Sequence, residues 1–391
     1  MIKDFTYYVP VRVVFGPGKL NEAGEHTARY GSKALIVTTG RFFKENGLVD
    51  RLAGILKASG VESEYYPDIS PNPLNTEIDA GAESARKAGC DVVIGLGGGS
   101  AIDAAKGIAI ALGHNAPIWD YCPAGPVIKQ PTEQTYPIIA ITTTSGTGSH
   151  ISPFSVITNP ETNQKPGMGS DYIYPKVAIV DPELMISKPK GITAATGFDV
   201  LAHSIEAYTS KIATPMSDKF GEEAIRLVGR YLRRAVRDGD DLEARAGMAY
   251  ADTLAGFAMS IAINTTCHGL SHAVGGISNT VHGETLAAMT PQTMRFSMNS
   301  DPEKFRNIGL FLRDETNELV ISEFTPEDAV QEVEKLIQDI GLDMPLSSQG
   351  VKESDLEAIA DGAIEYMRGA FDLDLRTPTR EDLLAILRAS F

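Results

Sequence analysis

Three adjacent glycines, Gly97-Gly98-Gly99, constrain this chain more than any other feature, because of what flanks them. The apolar run Val92-Val93-Ile94-Gly95-Leu96 precedes them, and Ser100 and the helix-forming Ala101-Ile102-Asp103-Ala104-Ala105-Lys106 follow. Glycine inside regular structure costs about 0.5–1 kcal/mol relative to alanine, so three together mark a backbone that must approach something closely. A strand, a glycine turn and a helix starting near Ala101 aim free backbone N–H groups at an anion, most readily a phosphate. The loop is not the G-x-G-x-x-G fingerprint, because Ser100 stands where its last glycine belongs, and no GK[ST] follows to make a P-loop.

The rest of the first half fits that unit. Ala34–Thr38, Val92–Leu96, Ile138–Ile141 and Val177–Val180 are short, almost wholly apolar runs separated by helical stretches. Such runs belong to parallel strands buried on both faces, and their alternation with helices predicts a Rossmann-like α/β domain. A second polar loop, Thr142-Thr143-Thr144-Ser145-Gly146-Thr147-Gly148-Ser149, follows the third run. It falls at the carboxyl edge of the sheet, where open α/β folds bind ligands, and two such loops point to a dinucleotide. After Pro189-Lys190-Gly191 the pattern is helical to the end. Asp301-Pro302, Thr325-Pro326 and Thr377-Pro378 each read as a capping residue before a first-turn proline. The expected domains are 1–185, α/β and dinucleotide-binding, and 186–391, all-α.

Charge and cysteine content narrow the function. Lys plus Arg is 35 and Asp plus Glu is 51, so the net charge is 35 − 51 = −16, unsuited to nucleic acid or an anionic membrane. Cys90, Cys122 and Cys267 have no CxxC spacing, which argues against a disulfide scaffold or thiolate zinc site and for a reducing cytoplasm. The N-terminal Met1-Ile2-Lys3-Asp4-Phe5-Thr6 has no signal-type apolar region, and the apolar Ala251–Ile263 stretch, cut by Asp252, Thr253 and Ser260, reads as a buried helix.

The histidines cluster in the second half. Asp199 and His203 are four apart on an expected helix, so they share one face; His268 and His272 repeat the spacing on another. His282 follows beside Gly283, in an expected loop. One carboxylate and several imidazoles on helical faces can converge on a divalent transition metal, here with an open, catalytic position.

Taken together, these segments resemble the iron-containing (group III) alcohol dehydrogenases along essentially the whole chain. The resemblance is carried by Phe15-Gly16-Pro17-Gly18, Pro71-Asn72-Pro73, Gly97–Asp103, Thr143–Ser149, Gly197–Glu206, His268-Gly269-Leu270-Ser271-His272 and Val281-His282-Gly283. It implies an active site in a cleft between the two domains. It implies Asp199, His203, His268 and His282 as metal ligands, for Fe(II) or for Zn or another divalent ion, with His272 a non-ligand catalytic histidine. Around the cofactor it implies Gly97, Gly98, Gly99, Ser100, Asp103, Asn72, Thr143, Thr144, Thr147 and Lys165. It also implies a homodimer or larger homo-oligomer, to which Tyr7–Phe15 can contribute a strand.

Two positions depart from the family pattern. His150 stands where glutamate is usual, placing a titratable imidazole in that loop. The stretch after the second-strand position, Thr38-Thr39-Gly40-Arg41, lacks the aspartate that binds the ribose hydroxyls in NAD-dependent members. With Arg41 and Lys44 nearby, Thr39, Gly40 and Arg41 favour NADP(H) over NAD(H). The expected reaction is hydride transfer between nicotinamide C4 and a small primary or secondary alcohol or its aldehyde. The alternatives are a dehydroquinate-synthase-type lyase, disfavoured because no Lys or Arg lies between Arg245 and Arg295, a glycerol-dehydrogenase-like polyol oxidoreductase, and a non-catalytic binding protein.

Overall fold

The computed structural model describes residues 4–186 and 188–391. Met1, Ile2 and Lys3 of the N-terminal reading, and Ser187, lie outside the described residues. The chain forms two compact units. One comprises Val9–Thr144 and Ser149–Met185; the other comprises residues 4–8, Ser145–Gly148 and Ile186–Phe391.

The first unit is built on a parallel sheet. Its strands are β1 (Arg12–Phe15), β2 (Lys33–Val37), β3 (Glu62–Tyr66), β4 (Val92–Gly97), β5 (Ile138–Thr142) and β8 (Val177–Val180), in the order β1-β8-β5-β4-β2-β3. A short antiparallel pair, β6 (Phe154–Val156) and β7 (Gly167–Gly169), stands apart. All residues of β4, β5 and β8 are buried, which explains their uninterrupted apolar sequences. Helices α1 (Leu48–Ala58), α2 (Asn75–Ala88) and α3 (Gly99–His114) connect the central strands. Helix α3 begins at Gly99, two residues before the expected Ala101, with Gly98 as its N-cap and Gly97 still in β4. From β2 the chain moves outward to β3 and then returns to β4 on the other side of β2. That reversal is a topological switch point, and the crevice beyond the carboxyl ends of β2 and β4 is where doubly wound sheets bind ligands.

The second unit is helical. Its longer helices are α4 (Lys190–Thr209), α5 (Pro215–Arg237), α6 (Leu242–Ala262), α7 (Thr266–Ser278), α8 (His282–Ser297), α9 (Pro302–Arg313), α10 (Pro326–Asp339), α11 (Leu356–Leu373) and α12 (Arg380–Ala389). Phe198, Leu201, Val228, Leu232, Met248, Leu270, Val274 and Leu286 form its core. Each large side chain so buried contributes about 1.5–3 kcal/mol. Helix α4 is buried on nearly every face, so its polar residues point into protein rather than solvent. Asp301 and Thr325 cap α9 and α10 as their Asp-Pro and Thr-Pro signals predict. The third signal is displaced. Thr379, not Thr377, caps α12, because Thr379 and Asp382 form a reciprocal capping box. His282 is also not in a loop: it is the first residue of α8. No single helix among the described residues is long and apolar enough to cross a membrane.

Candidate functional site

In the helical unit, α4 supplies Asp199 and His203 one turn apart, α7 supplies His268 and His272, and the start of α8 supplies His282. The approach of α8 to α4 depends on Gly283, where a side-chain carbon would overlap the backbone of Ala195. One donor atom from each of Asp199, His268 and His282 lies within 4.8 Å of the others. Asp199 Oδ1 is 3.4 Å from His268 Nε2 and 3.7 Å from His282 Nε2. His203 falls outside that trio but not outside the cluster. Its ring stacks on that of His268 with centroids 4.4 Å apart, and its Nδ1 is 3.4 Å from Asp199 Oδ1.

A common pattern governs the three imidazoles. His203 Nδ1–H donates to the Gly146 carbonyl at 3.2 Å, His268 Nδ1–H donates to Glu206 Oε2, and His282 Nδ1 shares a hydrogen bond with Ser271 Oγ at 2.8 Å. Each ring thus has an outer Nδ1 partner of the kind that orients metal-binding histidines, which leaves Nε2 as the nitrogen that a metal would take. The donor set of one carboxylate and three imidazoles fits a divalent transition metal. Burial pushes His203 down to about 4, which keeps it neutral. Burial acts the same way on His268, but the Glu206 charge and the hydrogen bonds that the ring donates to Asp199 and Glu206 raise it to about 9, so without a metal it is an imidazolium and a metal at Nε2 would displace a proton. The Gly146 carbonyl is itself held in place. Buried Asp252 on α6 accepts the Gly148 N–H at 2.8 Å and lies against Gly146 as well. His272 is buried, with its ring centroid 5.8 Å from that of His282. Thr147 lies in the 145–148 segment of this unit.

In the α/β unit, Gly97, Gly98, Gly99 and Ser100 run from the end of β4 into α3. Gly97 has φ +154°, and the Thr143 N–H donates to its carbonyl at 2.9 Å, which joins the two polar loops at one sheet edge. A side-chain carbon on Gly98 would approach Thr144 Oγ1 to 2.9 Å. The Thr143 hydroxyl is buried with no hydrogen-bond partner among the described residues, which leaves an unfilled hydrogen-bonding group at this edge. Asn72 and Lys165 come together, Lys165 Nζ donating to Asn72 Oδ1 at 2.6 Å. Asp103 is differently employed. Its carboxylate accepts from Ser149 Oγ and from the Val156 N–H at 3.0 Å, binding α3 to the 149–156 segment. Lys106, wholly buried, reinforces that tie through Ser149 Oγ at 2.9 Å and the carbonyls of Ser152 and Phe154.

The β2 end carries a partner that the local sequence did not reveal. Thr39 bridges Asp68, and the Arg41 guanidinium lies 3.5 Å from the Asp68 carboxylate; Lys44 pairs with Asp50. A carboxylate thus reaches the Thr39-Gly40-Arg41 turn from the end of β3. His150 is buried beside Lys106, and burial followed by the Lys106 charge pushes it down to about 3. It is neutral across the physiological range.

Sequence comparison agrees with the geometry. The model of the iron-containing alcohol dehydrogenase family matches residues 10–182, and that of the Fe-containing alcohol dehydrogenase family C-terminal region matches residues 193–391. The chain is 34% identical over 382 residues to the NAD-dependent methanol dehydrogenase of Bacillus methanolicus, covering 98% of each protein. It is 36% identical over 389 residues to the 1,3-propanediol dehydrogenase of Klebsiella pneumoniae, covering 99% of each. Among solved structures, an archaeal halo-thermophilic Red Sea brine pool alcohol dehydrogenase, ADH/D1, bound to NZQ, superimposes over 100% of both chains with TM-score 0.94 and 38% identity.

Proposed function

The chain belongs to the iron-containing alcohol dehydrogenase family, an oxidoreductase family acting on alcohols, and from that premise we propose how its own residues carry out the reaction. The observation that carries the reading is the convergence of Asp199, His268 and His282 donor atoms within 4.8 Å, with His203 stacked beside them. These four residues are the proposed ligands of a divalent metal, Fe(II) or Zn(II). When bound, the metal supplies Lewis acidity toward an alcohol or carbonyl oxygen, and the nicotinamide supplies the hydride acceptor or donor.

The protein's contribution is orientation and proton handling. Nδ1 anchors hold the three ligand imidazoles with Nε2 available. His272, one helical turn from His268, is the proposed proton relay. At the other end of the cofactor, Gly97, Gly98, Gly99 and Ser100 at the α3 N-terminus are the proposed pyrophosphate cradle. Asn72, Lys165, Thr143 and Thr144 are proposed to line it, and Thr147, on the helical unit, is a further proposed cofactor residue. For the adenosine end we propose NADP(H), with Arg41 leaving Asp68 to meet the 2′-phosphate. The substrate class is a small primary or secondary alcohol or its aldehyde, in keeping with relatives named for methanol and 1,3-propanediol. A cytoplasmic homodimer completes the proposal, supported by three buried free thiols and by exposed Phe5 and Tyr8.

The test is a metal-reconstituted assay. Chelated protein reloaded with Fe(II) or Zn(II) is expected to oxidise NADPH, and NADH more slowly, with a panel of short aldehydes. His268→Ala loses metal and turnover together. His272→Ala keeps its metal and turns over slowly. Metal loss in His272→Ala would remove it as a non-ligand, and no turnover with any metal, cofactor or aldehyde would return the lyase and the binding protein to contention.

A further inference from the structure

We infer that Glu206 is the positioning residue of this centre: a single buried carboxylate sets which nitrogen of His268 can bind a metal and fixes α7 against α4. The inference rests on the metal reading above. Glu206 follows Asp199 by seven residues and His203 by three, so all three side chains emerge from one face of α4. It is buried, and its two oxygens do different things. Oε1 accepts the backbone N–H of Thr265 at 3.2 Å, of Cys267 at 2.7 Å and of His268 at 3.3 Å, and the Thr265 hydroxyl at 3.1 Å. These are the orphan donors at the start of α7, so Oε1 acts as a helix cap supplied from another helix. Oε2 accepts Nδ1–H of His268. The cap places the His268 backbone, and the second bond fixes its ring with the proton on Nδ1, so that Nε2, 3.4 Å from Asp199 Oδ1, is the nitrogen that can be freed for a metal.

The two-oxygen division yields a discriminating variant. Glu206→Gln keeps a carbonyl oxygen for the α7 cap. It offers –NH₂, not an acceptor, to Nδ1. His268 must then turn Nδ1 into the acceptor and carry its proton on Nε2, which cannot ligate. A helix-capping role alone would leave metal binding intact in that variant. A positioning role would not.

The experiment measures Zn(II) affinity by competition with a chromophoric chelator, and the visible absorption of the Co(II)-substituted protein, in wild type, Glu206→Gln and Glu206→Asp. Thermal unfolding of the metal-free forms is followed in parallel. Glu206→Gln is expected to bind Zn(II) about 10- to 100-fold more weakly than wild type and to show an altered Co(II) spectrum. Its metal-free melting temperature should change little. Glu206→Asp keeps the charge but shortens the reach by one methylene, and should show an intermediate loss; it also serves as the test if the glutamine variant does not fold. In a His268→Ala background, Glu206→Gln should have no further effect on residual affinity. Wild-type Zn(II) affinity and Co(II) spectrum in Glu206→Gln or Glu206→Asp would overturn the positioning role while leaving the metal centre in place. A wild-type protein that binds no metal would overturn both.

Discussion

The proposed dinucleotide edge and the proposed metal cluster hold their polar groups by opposite means. At the edge, main chain does the work: Gly97 has φ +154°, the Thr143 N–H bonds to its carbonyl, and α3 begins inside the glycine run. In the cluster, side chains do it, and each imidazole is fixed by a partner of its own, namely Gly146, Glu206 or Ser271. A pyrophosphate is large, diffuse in charge and well served by N–H groups at a helix start. A metal needs a few lone pairs aimed at one point, and only oriented side chains provide that. The two regions should therefore fail differently when altered.

The largest effect expected at the edge comes from Gly97→Ala. Its φ disfavours any L side chain, and the new carbon would lie 2.8 Å from Ala101 Cβ, at the first turn of α3. Strain of about 1–3 kcal/mol there moves the N–H groups of that turn away from the phosphates. Nicotinamide dinucleotide affinity, followed by cofactor fluorescence, should fall about tenfold or more for a loss above 1.4 kcal/mol. Metal content after Zn(II) loading should stay at the wild-type level. Loss of metal in this variant would break the comparison, because the two ligands would then share one support.

The same contrast decides what the sequence discloses. The parallel strands and the glycine turn were legible because their signals are local: apolar runs, a break, a helix. Asp199, His203, His268 and His282 were legible through helical spacing and the family resemblance. What was not legible depends on distant pairs. Glu206 is a glutamate in a helix, a position usually solvated, and its imidazole partner is 62 residues away. Asp68 reaches Arg41 only because β2 and β3 are neighbours in the sheet. His282 was read as loop because a glycine follows it, yet Gly283 is what lets the helix start close to Ala195. Asp103 was expected around the cofactor, and the structure ties it, together with Lys106, to Ser149 and the 152–156 backbone.

A smaller effect tests the adenosine end, where side chains rather than main chain discriminate. Arg41 and Asp68 are 65% and 66% exposed, so their attraction is worth no more than about 1 kcal/mol. Asp68 competes with a 2′-phosphate for Arg41. Arg41→Ala should lower the NADPH-to-NADH affinity ratio, and Asp68→Asn should raise it, each by about fivefold for about 1 kcal/mol. Both ratios should converge toward that of the unsubstituted protein as salt is raised, because the groups are solvated. Ratios that do not move in either variant would leave the cofactor preference to the backbone, and would make the edge still more unlike the side-chain-held cluster.

The smallest expected effect is that of His150→Asn, and its sign follows from linkage. In the folded protein His150 stays neutral down to about 3, held there by burial and by Lys106, whereas in the unfolded chain it protonates near 6.5. Between those values the unfolded state binds the extra proton, so stability rises with pH across the window. Stability associated with His150 is thus present above about 6.5 and is lost as pH falls toward 3. Asparagine binds no proton in either state. Its variant should lose less melting temperature than wild type between pH 7 and pH 5, and its rate profile from pH 7 to pH 9 should match wild type in shape. Equal acid slopes would mean the imidazole is hydrated and protonated in the native protein. A changed rate profile at neutral pH would mean that this side chain, alone among those on the α/β unit, acts by titrating rather than by holding the backbone in place.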